Sequence, residues 1–215
     1  MKIKKLGFIT FRFSCEEIDI ITDPLLSEEA GVTIGKTTGE VVLFTGEKYI
    51  GSHSVIEDSG YKKIEPKKRE SLHEITSPGE YELGGVLIRR PQGADFYILD
   101  EKDVRVVYVG EISKSIAVEQ FADLGDVDLL ILPVGDAEVF PNFDKLEKII
   151  SKVDPTYMIP CGYKESGLKG DFASLKGVDE FIKQFGYTHV TNDNKFVLSS
   201  GTEQESKVIE IVVLD

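Results

Sequence analysis

Asp128-Leu129-Leu130-Ile131-Leu132-Pro133-Val134-Gly135 is the stretch on which the architecture of this chain turns. Its apolar residues are consecutive rather than alternate, the pattern of a strand buried on both faces of a sheet. Such a strand needs cover on each side, and the sequence downstream supplies helices. Leu146, Ile149, Ile150 and Val153 fall at i, i+3, i+4 and i+7, an apolar stripe along one helix face that Asp154-Pro155 terminates. Tyr157-Met158-Ile159-Pro160 reads as a second short buried strand. Val178, Phe181, Ile182 and Phe185 repeat the helical stripe, which Gly186 closes. Upstream, Ser115 to Leu124 is predicted as a helix with Ile116, Phe121 and Leu124 apolar and Gly125 placed to end it. Phe196 to Leu214 reads as two strands around the polar loop Ser199 to Ser206.

The first third reads as β structure. Ile9, Phe11 and Phe13 alternate with Thr10, Arg12 and Ser14, as a half-buried strand requires. Ile18 and Ile20 open a strand that stops at Asp23-Pro24, since proline cannot continue the ladder. Val41 to Phe44 is a buried strand, and others are expected around Ile75, Val86–Ile88, Tyr97–Leu99 and Val104–Tyr108. No segment rich in Gly, Pro or Ser divides the chain. The expectation is therefore one domain spanning residues 1–215, of α+β class, with sheets sandwiched by helices.

Composition excludes several functions. The 25 Lys and Arg stand against 38 Asp and Glu, a net charge of -13, so a nucleic-acid partner and an anionic membrane surface are both disfavoured. The dense basic run Lys62, Lys63, Lys67, Lys68 and Arg69 is bordered by acidic residues and reads as a solvated loop. No stretch reaches the roughly 18 apolar residues of a spanning helix. Two cysteines, Cys15 and Cys161, give no disulfide framework, and a reducing, cytoplasmic setting is expected. Association with a second copy or with another protein is left open.

Several strings in order carry a resemblance. They are Asp23-Pro24, the stretch from Val41 to Ser52, Ser77-Pro78-Gly79-Glu80-Tyr81-Glu82, Gly125 to Gly135, and Ile159-Pro160-Cys161-Gly162-Tyr163. Together they resemble the small Zn-dependent hydrolase branch of the metallo-β-lactamase superfamily, over essentially the whole chain including a terminal β hairpin. That resemblance implies a four-layer αββα sandwich with a site at one edge between the sheets. It also implies zinc held by histidines and carboxylates, with one position open for an activated water.

Here the ligand residues are replaced. Where the family carries "SHxHxDH", this chain reads Thr45-Gly46-Glu47-Lys48-Tyr49-Ile50-Gly51-Ser52, so the four ligand positions hold Gly46, Lys48, Ile50 and Gly51. The "HLGD" string becomes Tyr108-Val109-Gly110-Glu111, which keeps only a carboxylate, and the "MHY" histidine becomes Gly162. A further family histidine has no counterpart in Arg89-Arg90-Pro91-Gln92-Gly93, and His53, His73 and His189 fall on no ligand position. The expectation is a chain with no metal ligands, no cofactor and no catalytic residues. It retains a remnant pocket of Asp23, Thr45, Glu47, Lys48, Tyr108, Glu111, Asp136, Cys161 and Tyr163.

Within that pocket Lys48 is expected to pair with Glu111 or Asp23, taking over part of a metal's electrostatic role, or else to point into solvent. Cys161 reads as packing, since no histidine nearby in sequence could raise its thiolate fraction. Glu80 and Glu82 lie on one face of a strand, where they repel rather than cooperate. The reading is a non-catalytic binding or assembly module. The alternative is a hydrolase of altered, zinc-independent chemistry, or one holding Mg²⁺ through oxygen ligands.

Overall fold

The computed structural model describes residues 1–68, 70–136, 138–199 and 208–215. Two mixed sheets face each other across one apolar core. The first runs, in spatial order, Phe196–Val197, Lys2–Gly7, Thr10–Ser14, Asp19–Thr22, Val41–Leu43, His73–Ile75. The second runs Val190–Asp193, Glu210–Leu214, Tyr157–Cys161, Leu129–Pro133, Val104–Val109, Phe96–Glu101, Val86–Arg90, Gly79–Leu83. A small pair, Thr37–Gly39 with Ile64–Pro66, stands apart.

Alternation along the strands sorts side chains between faces. Ile20, Val41 and Leu43 point into the core between the sheets. Ile21, Val42 and Phe44 point outward, where Val55 and Ile56 of the helix Val55–Ser59 cover them. The second sheet is covered by the helix Phe143–Val153, which begins where the Asn142 side chain accepts from Lys145 N–H and ends at Asp154 in the left-handed region. It buries Leu146, Ile149, Ile150 and Val153, each a gain of about 1.5–3 kcal/mol. Leu129 to Leu132 are fully buried, as the consecutive apolar pattern requires. The four-layer αββα arrangement implied by the resemblance is the one observed.

Three local expectations are corrected. Ser115 to Leu124 is not a helix; only a short 3-10 turn forms, Val118–Phe121. The carbonyls of Lys114 and Ile116 are taken by Lys145 Nζ at 2.5 and 3.0 Å rather than by amides of a following turn. The last two strands do not form a hairpin. Phe196–Val197 pairs with Lys2–Gly7 in the first sheet, whereas Glu210–Leu214 joins the second beside Tyr157–Cys161. The loop expected between them lies almost wholly outside the described residues, as does Arg69 of the basic run. That run is also not simply solvated. Lys63 pairs with Glu28 and Lys67 with Asp19, and Lys68 donates to the Glu17 carbonyl. Among the described residues no helix is long and apolar enough to cross a membrane.

Candidate functional site

The site lies where the carbonyl ends of neighbouring strands in the first sheet meet the second sheet. Thr22 and Leu43 are parallel neighbours, so Asp23 and Thr45 leave the sheet side by side, with Asp23 N–H donating to Leu43 O at 2.9 Å. Asp23 precedes the helix Pro24–Glu29 in a left-handed conformation (φ 37°, ψ 51°), unusual for a residue with a side chain. Its carboxylate is enclosed. Thr45 N–H donates to Oδ1 at 2.8 Å, Thr45 Oγ1 donates to Oδ2 at 2.7 Å, and the Tyr108 hydroxyl lies 2.7 Å from Oδ2.

The Tyr108 hydroxyl also lies 3.0 Å from Ile9 O, and a phenol has one proton. Burial raises the Asp23 pKa, against the opposing pull of the Thr45 and Tyr108 donors and the Arg90 charge. The single phenol proton is shared between Asp23 Oδ2 and Ile9 O, the two acceptors within its reach.

Glu111 enters from the second sheet, just past the strand Val104–Val109. Its N–H donates to Thr45 Oγ1 at 2.7 Å, so one hydroxyl bridges the two carboxylate-bearing segments. Gly110 permits this approach, because a Cβ there would collide with Asp23 Oδ2 and Thr45 Oγ1. The Glu111 side chain turns back against Gly46. There its Oε2 is buried, with no hydrogen-bond partner among the described residues. Burial pushes the Glu111 carboxyl up to about 7. Lys48 opposes that shift, and Asp23, Glu29 and Asp95 reinforce it.

Lys48 sits between two acids. Its Nζ lies 2.8 and 2.9 Å from the two carboxylate oxygens of Glu29, and 3.9 Å from Glu111 Oε1. The Glu111 partnership is present but secondary, and Asp23 is served by Thr45 and Tyr108 instead. Glu29 left no mark in the sequence, being one acid among many at the end of a helix.

Arg90 was also invisible in sequence and is the most connected cation of the region. Only 2% exposed, it donates Nε to Ala94 O, Nη1 to Phe44 O and Thr76 O, and Nη2 to Thr45 O, at 2.6–3.1 Å. Its charge acts on both Asp23 and Asp95. The backbone that starts the family's ligand loop is thus pinned by a guanidinium.

Glu47, Lys48 and Glu111 open onto a cavity of about 390 Å³. Asp95, Ser113 and Lys114 complete its polar side, and Leu26, Ile112, Val139, Phe140 and Phe172 form an apolar wall. Asp23, Thr45 and Tyr108 do not line it; they form a buried floor joined to it through the Thr45 Oγ1 bond with Glu111 N–H. Three expected members are directed elsewhere. Asp136 pairs with Lys176 at 2.5 Å, Tyr163 accepts from Lys5 at 3.1 Å, and Cys161 is buried in the core, which pushes its thiol up.

The donor set does not fit zinc. Among the described residues no group of three or more His, Cys, Asp or Glu could hold a metal ion, and all three histidines are exposed. Gly46 has lost its side-chain space to the Glu111 carboxylate. At Gly162 a Cβ would meet Pro133, Phe140 and Ile9 at 2.9–3.2 Å.

A model described as a beta-lactamase superfamily domain matches residues 2–162. The chain belongs to the metallo-β-lactamase superfamily. Solved structures share its fold. A proposed Zn-dependent hydrolase of this superfamily from Thermotoga maritima is 22% identical with a TM-score of 0.72, covering 100% of this chain and 98% of its own. A proposed metal-dependent hydrolase from Parabacteroides distasonis is 14% identical with a TM-score of 0.57, covering 99% and 91%. An isothiocyanate hydrolase from Delia radicum gut bacteria is 10% identical with a TM-score of 0.56, covering 86% and 93%. No curated protein matches. At these identities the likeness to other members of the metallo-β-lactamase superfamily is one of fold.

Proposed function

We propose that residues 1–215 form one metallo-β-lactamase-like domain that works without a metal, as a binding module whose ligand occupies the pocket over Glu111. The observation that carries this reading is the fate of the metal's space. Protein groups already fill it, with Glu111 against Gly46, Lys48 between Glu29 and Glu111, and Asp23 saturated by Thr45 and Tyr108. A dication entering there would face an ammonium and would have to displace bonds that already satisfy Asp23.

A second reading, hydrolysis without zinc, is supported by the hydrolase names of the structural relatives and by one feature of the pocket. A carboxyl with pKa about 7 is suited to general acid–base work. Ser113 is the hydroxyl nearest to it in sequence on the pocket wall. Its Oγ is shared with Ser115 Oγ at 2.7 Å rather than with a base, which favours the binding reading.

The test is calorimetric titration of the full chain with Zn²⁺, Mn²⁺ and Mg²⁺, with melting followed in parallel. Binding weaker than about 100 μM and an unshifted melting temperature are expected, the affinity of a site lacking a converging donor set. Stoichiometric zinc at submicromolar Kd, abolished by Glu111→Gln, would overturn the reading.

A further inference from the structure

The pocket is asymmetric in charge and in polarity. Glu47, Asp95 and Glu111 line it, and Glu29 and Glu138 stand at its rim, against the ammonium groups of Lys48 and Lys114. Both lysines are engaged at the rim, Lys48 with Glu29 at 2.8 Å and Lys114 with Glu138 at 2.7 Å. Arg90, behind the wall, spends its donors on backbone carbonyls. Glu47 has no ion pair among the described residues, and Glu111 has a cation no closer than 3.9 Å.

The opposite wall is apolar. Phe140 is buried, and its ring centre lies 6.4 Å from that of Phe172, which packs edge-on against Phe8 at 5.4 Å. A cleft with low-dielectric walls focuses the field of its charges, and here the surplus is negative. Above pH 7, where Glu111 is ionised, an anion would have to approach three carboxylates. An inorganic dication would lack a converging donor set. An ammonium needs no coordination geometry, and its three N–H donors suit separated carboxylates and aromatic faces.

We propose that this pocket takes a small organic cation with an apolar body, of the alkyl- or arylammonium class, its head at Glu111 and Glu47 and its body against Phe140 and Phe172. The assignment rests on the reading of this pocket as a binding site and adds the chemistry of the ligand. A volume of about 390 Å³ lies in the range of small-molecule sites.

Three probes with a common aromatic body and different heads test it by amide chemical-shift titration of the full chain: 2-phenylethylammonium, 2-phenylethanol and 3-phenylpropanoate. The ammonium is expected to move the amides of Glu111, Ser113 and Phe172 saturably. It should bind at least about fivefold more tightly than the alcohol, the scale of one charge-assisted hydrogen bond in a half-open site. Glu111→Gln should remove most of that advantage by weakening the ammonium far more than the alcohol, and Phe172→Ala should weaken both. Preference for 3-phenylpropanoate at the same amides would overturn the cation assignment while leaving the pocket a binding site. Saturable shifts with none of the probes would overturn it as well, and the metal titration above then decides the fate of the broader reading independently.

Discussion

Thr45 holds Asp23 by two bonds at once, its backbone N–H on Oδ1 at 2.8 Å and its hydroxyl on Oδ2 at 2.7 Å. The same hydroxyl accepts the Glu111 N–H at 2.7 Å, so one threonine ties together the acidic segments of the two sheets. A carboxylate whose oxygens are filled in this way has little left to offer a metal. The buried floor of the pocket is therefore a finished hydrogen-bonded structure.

Replacing that hydroxyl tests the tie. Thr45→Val keeps the shape but leaves Asp23 Oδ2 and the Glu111 N–H each short of a partner. It should cost about 1–3 kcal/mol in urea unfolding, whereas Thr45→Ser should recover most of the loss. An unchanged midpoint for the valine variant would show that the floor is not held by this residue.

Arg90 should be the more costly site. Four of its N–H bonds go to carbonyls in a fully enclosed position, so Arg90→Met orphans several acceptors and removes the charge facing Asp23 and Asp95. A loss of about 3–5 kcal/mol is expected in chemical denaturation. Arg90→Lys should restore only a minor part, because an ammonium cannot reproduce the planar fork.

The Glu111 carboxyl makes stability depend on pH in a defined sense. Its pKa is near 7 folded against 4.5 for the free group, so between those values the folded state holds a proton that the unfolded state has released. Stability contributed by this site therefore falls as pH rises from about 4.5 to about 7, then levels off. Glu111→Gln, uncharged throughout, should match the parent near pH 4. By pH 8 it should exceed the parent by about 1–2 kcal/mol, a figure reduced for partial exposure. Parallel stability curves for the two proteins across that window would contradict the assignment.

Restoring a family histidine should fail. Gly162 sits at φ 56°, and a Cβ there meets Pro133, Phe140 and Ile9 within 3.2 Å. Gly162→His should lower stability by about 2–4 kcal/mol through backbone strain and overpacking, without yielding zinc affinity by calorimetry. A stable variant that binds zinc tightly would mean the site is closer to its relatives than the packing allows.

The misread elements share a cause. Ser115 to Leu124 carries apolar residues at helical spacing, yet a lysine 29 residues along takes the Ile116 carbonyl. The terminal hairpin implied by the resemblance does not form, because each of its two strands pairs in a different sheet. Cys161, Asp136 and Tyr163 border the expected site in sequence, and each is drawn off by a neighbour from elsewhere in the fold, namely the core, Lys176 and Lys5.

By itself the sequence determined which strands are buried on both faces, where the helix Phe143–Val153 stops, and that histidines are missing from the family's ligand positions. Those properties depend on residue type and local spacing, which periodicity and capping expose directly. Only the tertiary structure decided that Glu29 takes Lys48, that Arg90 pins the Thr45 loop, and that Thr45 joins Asp23 to Glu111. Those partners are 19 to 66 residues apart. Nothing local in a chain marks which distant carbonyl or carboxylate will face a given donor. That is settled when two sheets pack and burial obliges each polar group to find a partner.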